Sequence, residues 1–341
     1  MTAVCEGLMV RFGIAGFGHH AVKRLMPGFA RARRCRPLAL SRRDPQRAQD
    51  SARQFGIAYA FTSTAELCDC PEVDAVFVTS PDALHLSDVL EAVNHRKPVL
   101  VEKPMAMNVS EAIRMVEAAR SAGVLLGVAH NMRFERSVRW FRERVSEGAI
   151  GRPLLARATF VAPMLSSPRT WVHDPKLATG GPLSDIGVHC IDTLRYILAD
   201  EVESVMVQAQ YDSYSMLEAS ASGVLQFSRG TLANISVSGR AAYQTLVEII
   251  GETGVLSAVN ALTIEAPVTL ELRRGHELAE RVEVLNDDAY ALQGDAFAAA
   301  IEEGREFDIP GEEGVRNQLV LDAALRSIKS GKVESVGAIQ M

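Results

Sequence analysis

A short apolar run, Val10–Ala15, stops at Gly16 and continues as Phe17-Gly18-His19-His20-Ala21, a G-x-G-x-x-A pattern. This feature restricts the fold most, because each position has a physical reason. The first glycine allows a tight turn, the second lets backbone approach a pyrophosphate, and the small third residue lets a helix pack close to its strand. The phosphates would rest on N–H groups at the positive end of that helix. Such a turn belongs to a parallel sheet with crossover helices. Strand-like runs at Val10–Ala15, Pro37–Ser41, Ala75–Ser80, Pro98–Glu102 and Leu125–His130 supply the sheet, and helical stretches at 45–55, 84–94 and 110–121 lie between them. In the last stretch Ile113, Val116 and Ala119 share one face while Glu111, Arg114 and Glu117 face water. Asp82 after Pro81, and Asn108 or Ser110, are the expected N-caps.

The end of the second strand carries information about the nucleotide. A cofactor without a 2′-phosphate usually meets an acidic residue about 20 positions after the glycine loop. Here the sequence reads Leu40-Ser41-Arg42-Arg43-Asp44. A hydroxyl followed by two guanidiniums suits a 2′-phosphate, which arginine holds bidentately. The pattern therefore favours NADP, with NAD as the alternative if Asp44 reaches the ribose. The competing reading is that Arg42 and Arg43 only face solvent.

With 341 residues, the chain is expected to form two domains. We place a Rossmann domain at 1–130, with 1–8 as a disordered tail before a possible start at Met9, and a second domain at 131–341. After a helix at about 135–147, alternating β-branched runs begin: Leu154–Val161, Val202–Tyr211, Ala219–Phe227, Thr231–Ser238, Gln244–Gly251 and Val268–Arg273. They predict an antiparallel sheet of about six strands, open on one face and interrupted by one helix. Helices at about 290–303 and 312–330 close the chain. The fold class is α/β with an α+β second domain.

The net charge of −6 offers no basic field for nucleic acid or an anionic membrane, and no apolar run is long enough to span a bilayer. Cys5, Cys35, Cys68, Cys70 and Cys190 are odd in number and scattered, which points to reduced thiols in the cytoplasm. Cys68-Asp69-Cys70 lacks zinc spacing and a second pair, so no metal site is expected.

The chemistry concentrates in Gly180-Gly181-Pro182-Leu183-Ser184-Asp185-Ile186-Gly187-Val188-His189-Cys190-Ile191-Asp192. Asp185 and His189 stand at i and i+4, on one helix face after a glycine-rich bend. Together with Lys103 of Glu102-Lys103-Pro104 they are groups that can move a proton on and off an alcohol or carbonyl oxygen. The competing reading is that His189 and Asp192 only satisfy a buried helix.

In sum, the chain resembles the Gfo/Idh/MocA family of oxidoreductases. The likeness rests on Phe12-Gly13-Ile14-Ala15-Gly16-Phe17-Gly18, Val73-Asp74-Ala75-Val76, Thr79-Ser80-Pro81-Asp82-Ala83-Leu84-His85 and Val101-Glu102-Lys103-Pro104. It continues through Asn131-Met132-Arg133-Phe134, Gly148-Ala149-Ile150-Gly151, the Gly180–Asp192 stretch and Ile249-Ile250-Gly251-Glu252-Thr253-Gly254. The resemblance implies a Rossmann domain and an open-faced α/β domain whose large sheet joins a homodimer or homotetramer. It also implies that Lys103 binds the reacting oxygen, that Asp185 and His189 complete the catalytic group, and that Lys103–Pro104 is cis. For the cofactor it implies contact from Gly16, Phe17, Gly18, His19, His20, Ser41, Arg42, Arg43, Thr79, Ser80, Pro81, Asp82, His85, Glu102, Lys103, Asn131 and Arg133. Of these, His85 is read as supporting its loop.

Substrate contact is expected from Lys103, Asp185 and His189, and from Trp171 and His173 near the cleft. Arg169 and Lys176 could meet an anionic group. The chain departs from the family pattern at Pro182, where a third glycine is usual, and at Asp82, where asparagine is common. It also has Val172-His173 where several sugar-acting relatives carry arginine. The expected activity is hydride transfer between nicotinamide and a secondary alcohol or ketone of a sugar, polyol or related cyclic alcohol. The rivals are a catalytically silent cofactor-binding regulator and a glycosidase that uses a tightly held nicotinamide in a transient oxidation.

Overall fold

A computed structural model describes residues 9–165 and 167–338. The expected tail at 1–8, with Cys5, lies outside them. The first six strands, β1 (Val10–Ala15), β2 (Cys35–Ser41), β3 (Tyr59–Phe61), β4 (Ala75–Val78), β5 (Val99–Val101) and β6 (Leu126–Val128), pair in the order β3-β2-β1-β4-β5-β6, all parallel. This is the order of a Rossmann sheet, whose strand order reverses between β1 and β4 and opens a crevice at their carboxyl ends. The crossovers are α1 (Met26–Phe29, preceded by a wide π-type turn at Ala21–Leu25), α2 (Pro45–Phe55), α3 (Thr64–Asp69), α4 (Asp82–Asn94) and α5 (Val109–Ala122). Asp44 caps α2 and Asn108 caps α5, each side chain accepting the N–H three residues on. Asp82 does not cap α4. It is the first helical residue, and its carboxylate goes elsewhere.

After α6 (Arg136–Ser146) comes β7 (Pro153–Val161), and α7 (Val188–Leu198) follows a π-type turn at Leu183–Gly187. Next come β8 (Val202–Gln210), β9 (Ser220–Phe227), β10 (Leu232–Ser238), β11 (Gln244–Gly251), β12 (Val255–Val259), β13 (Val268–Arg274) and β14 (Glu277–Val284). The chain closes with α8 (Ala289–Glu303), α9 (Gly311–Ser330) and β15 (Glu334–Ser335). The second sheet holds nine strands, β14-β13-β12-β11-β7-β10-β9-β8-β15. It is therefore larger than the six expected, and mixed, because β10 runs parallel to β7.

One face of this sheet is covered by α6, α7 and α9, with Ile191, Leu194 and Leu321 in the core beside Ile235, Val247 and Ile249. The other face leaves Leu155, Met206, Val224 and Leu232 exposed. The helical segment after β14 returns to the first sheet: Phe297 and Phe307 pack with Phe12 and Phe77. Gly127 permits this, since a Cβ there would lie 2.5 Å from the Phe307 ring. The two sheets are thereby held in fixed relation, with β5, β6 and the turn before α7 meeting at a common cleft. Cys35, Cys68, Cys70 and Cys190 are buried and unpaired.

Candidate active site

The glycine loop has the geometry that a dinucleotide requires. Gly16 adopts φ +79°, and a Cβ there would stand 2.6 Å from the Ser80 backbone nitrogen. Only glycine fits. At Gly18 the nearest atom to an added Cβ is the Gly16 carbonyl at 3.6 Å, so the fold itself does not demand glycine, whereas a phosphate lying on that backbone would. The loop is braced by the Ser41 hydroxyl, which accepts the Gly16 N–H at 3.3 Å, and by the Thr79 hydroxyl, which donates to the Ala15 and Gly16 carbonyls at 3.1 Å. These residues fit a nicotinamide dinucleotide.

Phe17 contributes differently from its expected role. Its side chain is buried against Phe55, and its N–H is taken by the Ser41 carbonyl. Ser80 donates to Asp88 at 2.6 Å, and His85 is buried with its ring nitrogens on the carbonyls of Pro104 and Ser80, so both support the loop. Pro81 is half-buried at the start of α4.

At the end of β2 the Arg42 guanidinium touches the Ser51 hydroxyl at 2.8 Å, and Arg43 is exposed. The Asp44 carboxylate is engaged as the cap of α2, accepting the Arg47 N–H at 3.0 Å.

The central cleft, of about 460 Å³, lies between the two sheets. Lys103 enters it from the segment after β5, on a cis Lys103–Pro104 bond as expected. Its Nζ donates to the Asp185 carbonyl at 2.9 Å and lies 3.7 Å from the Asp185 carboxylate. Asp185 and His189 reach the same cleft from the π-type turn and the first turn of α7. That turn is held from behind by Glu218, whose carboxylate accepts the N–H groups of Gly181 and Leu183 at 2.9 and 3.0 Å. Gly181 must lack a side chain, because a Cβ would come within 2.2 Å of the Glu218 carbonyl.

The Asp185 carboxylate does not point freely at a ligand. Arg169 grips both of its oxygens, at 3.0 and 2.6 Å. Burial alone would raise the Asp185 carboxyl, but the Arg169 guanidinium and the Lys103 ammonium override it and hold the group well below the usual carboxylate range. Burial and Lys103 push His189 the other way, well below the usual imidazole value. His189 is therefore a neutral ring at neutral pH, not one balanced between two forms. Glu102 sits beneath the cleft. Burial would raise it, yet His20, 2.9 Å away, and Lys103 hold it down at about 2. His20 thus serves Glu102 and packs edge-on against Tyr290.

Asn131 lines the cleft, but Arg133 does not. The Arg133 guanidinium is buried on Asp192, with contacts of 2.6 to 3.2 Å, and on Glu313 at 2.6 Å. Trp171 and His173 also stand outside the cleft lining: Trp171 packs half-buried against the core, and His173 faces a small separate recess. Lys176 is exposed. Asp82 accepts the Thr179 N–H at 3.0 Å and so ties the loop before Gly180 to α4. Sequence reasoning missed Phe160 and Tyr243, which form an aromatic wall opposite: Phe160 stacks on the His189 ring at 6.1 Å and meets Tyr243 edge-on at 6.4 Å. Phe160 lies on β7 and Tyr243 just before β11, strands whose alternation was legible, but which face met the cleft was not.

Residues 10–130 match the oxidoreductase family with an NAD-binding Rossmann fold, and 138–257 match the GFO/IDH/MocA C-terminal domain. The chain is 31% identical to 1,5-anhydro-D-fructose reductase of Ensifer adhaerens over 96% of its length and 99% of that protein's. It is 29% identical to myo-inositol 2-dehydrogenase of Thermotoga maritima over 85% of its length and 89% of that protein's. Its fold follows that of aldose-aldose oxidoreductase from Caulobacter crescentus, with TM-score 0.87 and 24% identity over 96% of this chain and 99% of that one. With both family models matched along most of its length and a relative 31% identical across nearly all of it, the chain belongs to the Gfo/Idh/MocA family of oxidoreductases.

Proposed function

We propose that the protein is an NADP-dependent dehydrogenase or reductase acting on a secondary alcohol or ketone carbon of a sugar or polyol. The convergence of Lys103, the Arg169-bound Asp185 and a neutral His189 on one interdomain cleft carries this reading. A nicotinamide bound along the glycine loop supplies the hydride acceptor in oxidation and the donor in reduction.

In oxidation, the Lys103 ammonium donates a hydrogen bond to the reacting oxygen and offsets the charge that grows as its proton leaves. His189, as the neutral ring, accepts that proton. Asp185 keeps Lys103 in place through its carbonyl and balances its charge, while Arg169 keeps Asp185 ionised. In reduction His189 returns the proton to the carbonyl oxygen. Phe160 and Tyr243 offer an apolar face for the C–H side of a sugar ring, opposite the polar groups that order its hydroxyls.

The NADP assignment rests on Arg42 and Arg43 at the end of β2, and on Asp44 being committed to its helix. A second copy of the chain would cover the face bearing Leu155, Met206, Val224 and Leu232, giving a dimer or tetramer. The buried, unpaired cysteines suit the reducing cytoplasm. No helix among the described residues is long and apolar enough to cross a membrane.

The test is a fluorescence titration of cofactor-free protein with NADPH and NADH, followed by a screen of polyols and aldoses for reduced-nicotinamide absorbance. NADPH preference lost in Arg42→Ala, together with polyol-dependent absorbance, is the expected result. An NADH preference would move the ribose contact away from Arg42. Binding without turnover of any sugar would favour a silent regulator.

A further inference from the structure

The charges along this cleft do not balance. Its acids are each neutralised in place. Asp185 is held by Arg169 and Lys103, Glu265 meets Arg24 at 3.2 Å, and Glu135 is fully buried and pushed well above the usual carboxyl range by that burial. Lys23 lines the same cleft from the helix after the glycine loop, and among the described residues no acidic side chain pairs with it. His19, one turn before Lys23 on that helix, reports the resulting field. Burial lowers it most, and Lys23, Arg169, His20 and Arg24 each lower it further.

Lys23 is exposed at the mouth of the site, beside the Arg24 guanidinium that Glu265 holds, so an anion arriving there meets an ammonium with no carboxylate to displace. Arg24 and Glu265 bridge the cleft between the first helix and the segment after β12, so the cationic group faces the outer, substrate-side wall as well as the glycine loop.

We propose that Lys23, Arg24 and His19 form a subsite for an anionic substituent, a carboxylate or phosphate, on the substrate. The substrate class narrows from sugars and polyols at large to sugar acids or sugar phosphates. This rests on the dehydrogenase reading above. The same chemistry could be supplied by the cofactor's own pyrophosphate, and cofactor affinity separates the two sources.

The experiment uses the full chain saturated with NADPH, titrated with D-glucose, D-glucuronate and D-glucose 6-phosphate, with bound-NADPH fluorescence as the readout. The three probes share one ring and differ in charge at one end. The expected result is that at least one anionic probe binds about tenfold more tightly than glucose, that the advantage shrinks as salt is raised, and that Lys23→Met removes most of it. NADPH affinity of Lys23→Met should stay within about twofold of the parent.

Equal binding of the three probes, binding of none, or an anionic preference that survives Lys23→Met would overturn the subsite. So would a loss of NADPH affinity in Lys23→Met as large as the loss of anion affinity, since the cluster would then serve the cofactor. Turnover, followed in the same samples, reports on the dehydrogenase reading separately: a neutral sugar that is oxidised without any anionic preference leaves that reading intact and removes only the subsite.

Discussion

Arg169 binds both carboxylate oxygens of Asp185, at 3.0 and 2.6 Å, and Lys103 approaches the same carboxylate at 3.7 Å. The acid that the sequence pairs with His189 is therefore part of a cationic bracket and is not the proton carrier. Arg169→Met would leave a buried carboxylate with half its compensation, a change that typically costs about 3–5 kcal/mol where the charge stays buried. We expect kcat/KM to fall on the order of a hundredfold, with the Asp185 carboxyl rising toward its ordinary value. Arg169→Lys should restore only part of the rate, because an ammonium cannot grip both oxygens. Full restoration by Arg169→Lys would show that only charge matters, and a loss equal in both variants would show that charge without the two-oxygen grip contributes nothing. Steady-state kinetics at several pH values distinguish them.

The depressed titration of His189 sets a pH profile. Its neutral form is the base for oxidation, and protonation begins only below its lowered pKa. The oxidation rate should hold level through the region near pH 6.5 where an ordinary histidine would lose its base form, and fall only at lower pH. Reduction needs the charged ring and should quicken as pH falls. His189→Asn should cost about 10²–10⁴-fold in turnover and abolish the acid limb. A limb centred near 6.5 would contradict the burial argument.

His130 predicts a pH dependence of stability. It is fully buried beside Asp192, with neither ring nitrogen hydrogen-bonded. Burial, aided by Arg133 and Arg195, holds it down at about 4 against the pull of Asp192. The unfolded chain takes up that proton near pH 6.5, so between about 6.5 and 4 the unfolded state binds more protons. Stability should therefore fall as pH drops through this window, by on the order of 3 kcal/mol from this one group. Denaturant unfolding at stepped pH should show the slope, and His130→Asn should flatten it.

Two glycines are fixed by geometry and one is not. Gly16→Ala combines φ +79° with a Cβ 2.6 Å from Ser80 backbone, and Gly181→Ala drives a Cβ to 2.2 Å from the Glu218 carbonyl. Gly148 has φ +71° but open space around it. We expect Gly16→Ala to lose NADPH affinity and Gly181→Ala to lose turnover with affinity retained. Gly148→Ala should cost only about 1 kcal/mol of stability. Thermal melts and cofactor titrations of the three variants provide the comparison.

What could be read in the sequence was what local pattern encodes. The helix at 45–55 begins with a proline after an aspartate and stops at Gly56, and α2 occupies those residues. The strands of the Rossmann sheet were visible as apolar runs, except β3, which is only three residues long, and the six-residue α3 went unread beside it. In the second sheet β14 escaped notice because Glu277–Val284 carries charges at exposed positions, and the parallel β7–β10 pairing depends on contacts between distant segments. At the site, Lys103, Asp185 and His189 were legible because motifs place them. Arg169 was visible only as a possible anion contact, since its loop has no period and its partner is set by the tertiary fold. Arg133 and Asp82, given to the cofactor by motif, are claimed by Asp192 with Glu313 and by Thr179.

The most direct measurement compares Lys103→Met with the parent in two readouts: NADPH binding by fluorescence, and sugar-dependent turnover of bound cofactor in a single-turnover experiment. If Lys103 serves the reacting oxygen, NADPH affinity should remain close to the parent's while turnover falls by about a thousandfold or more. Turnover within a few-fold of the parent, with cofactor bound, would contradict the placement of chemistry at Lys103, Asp185 and His189.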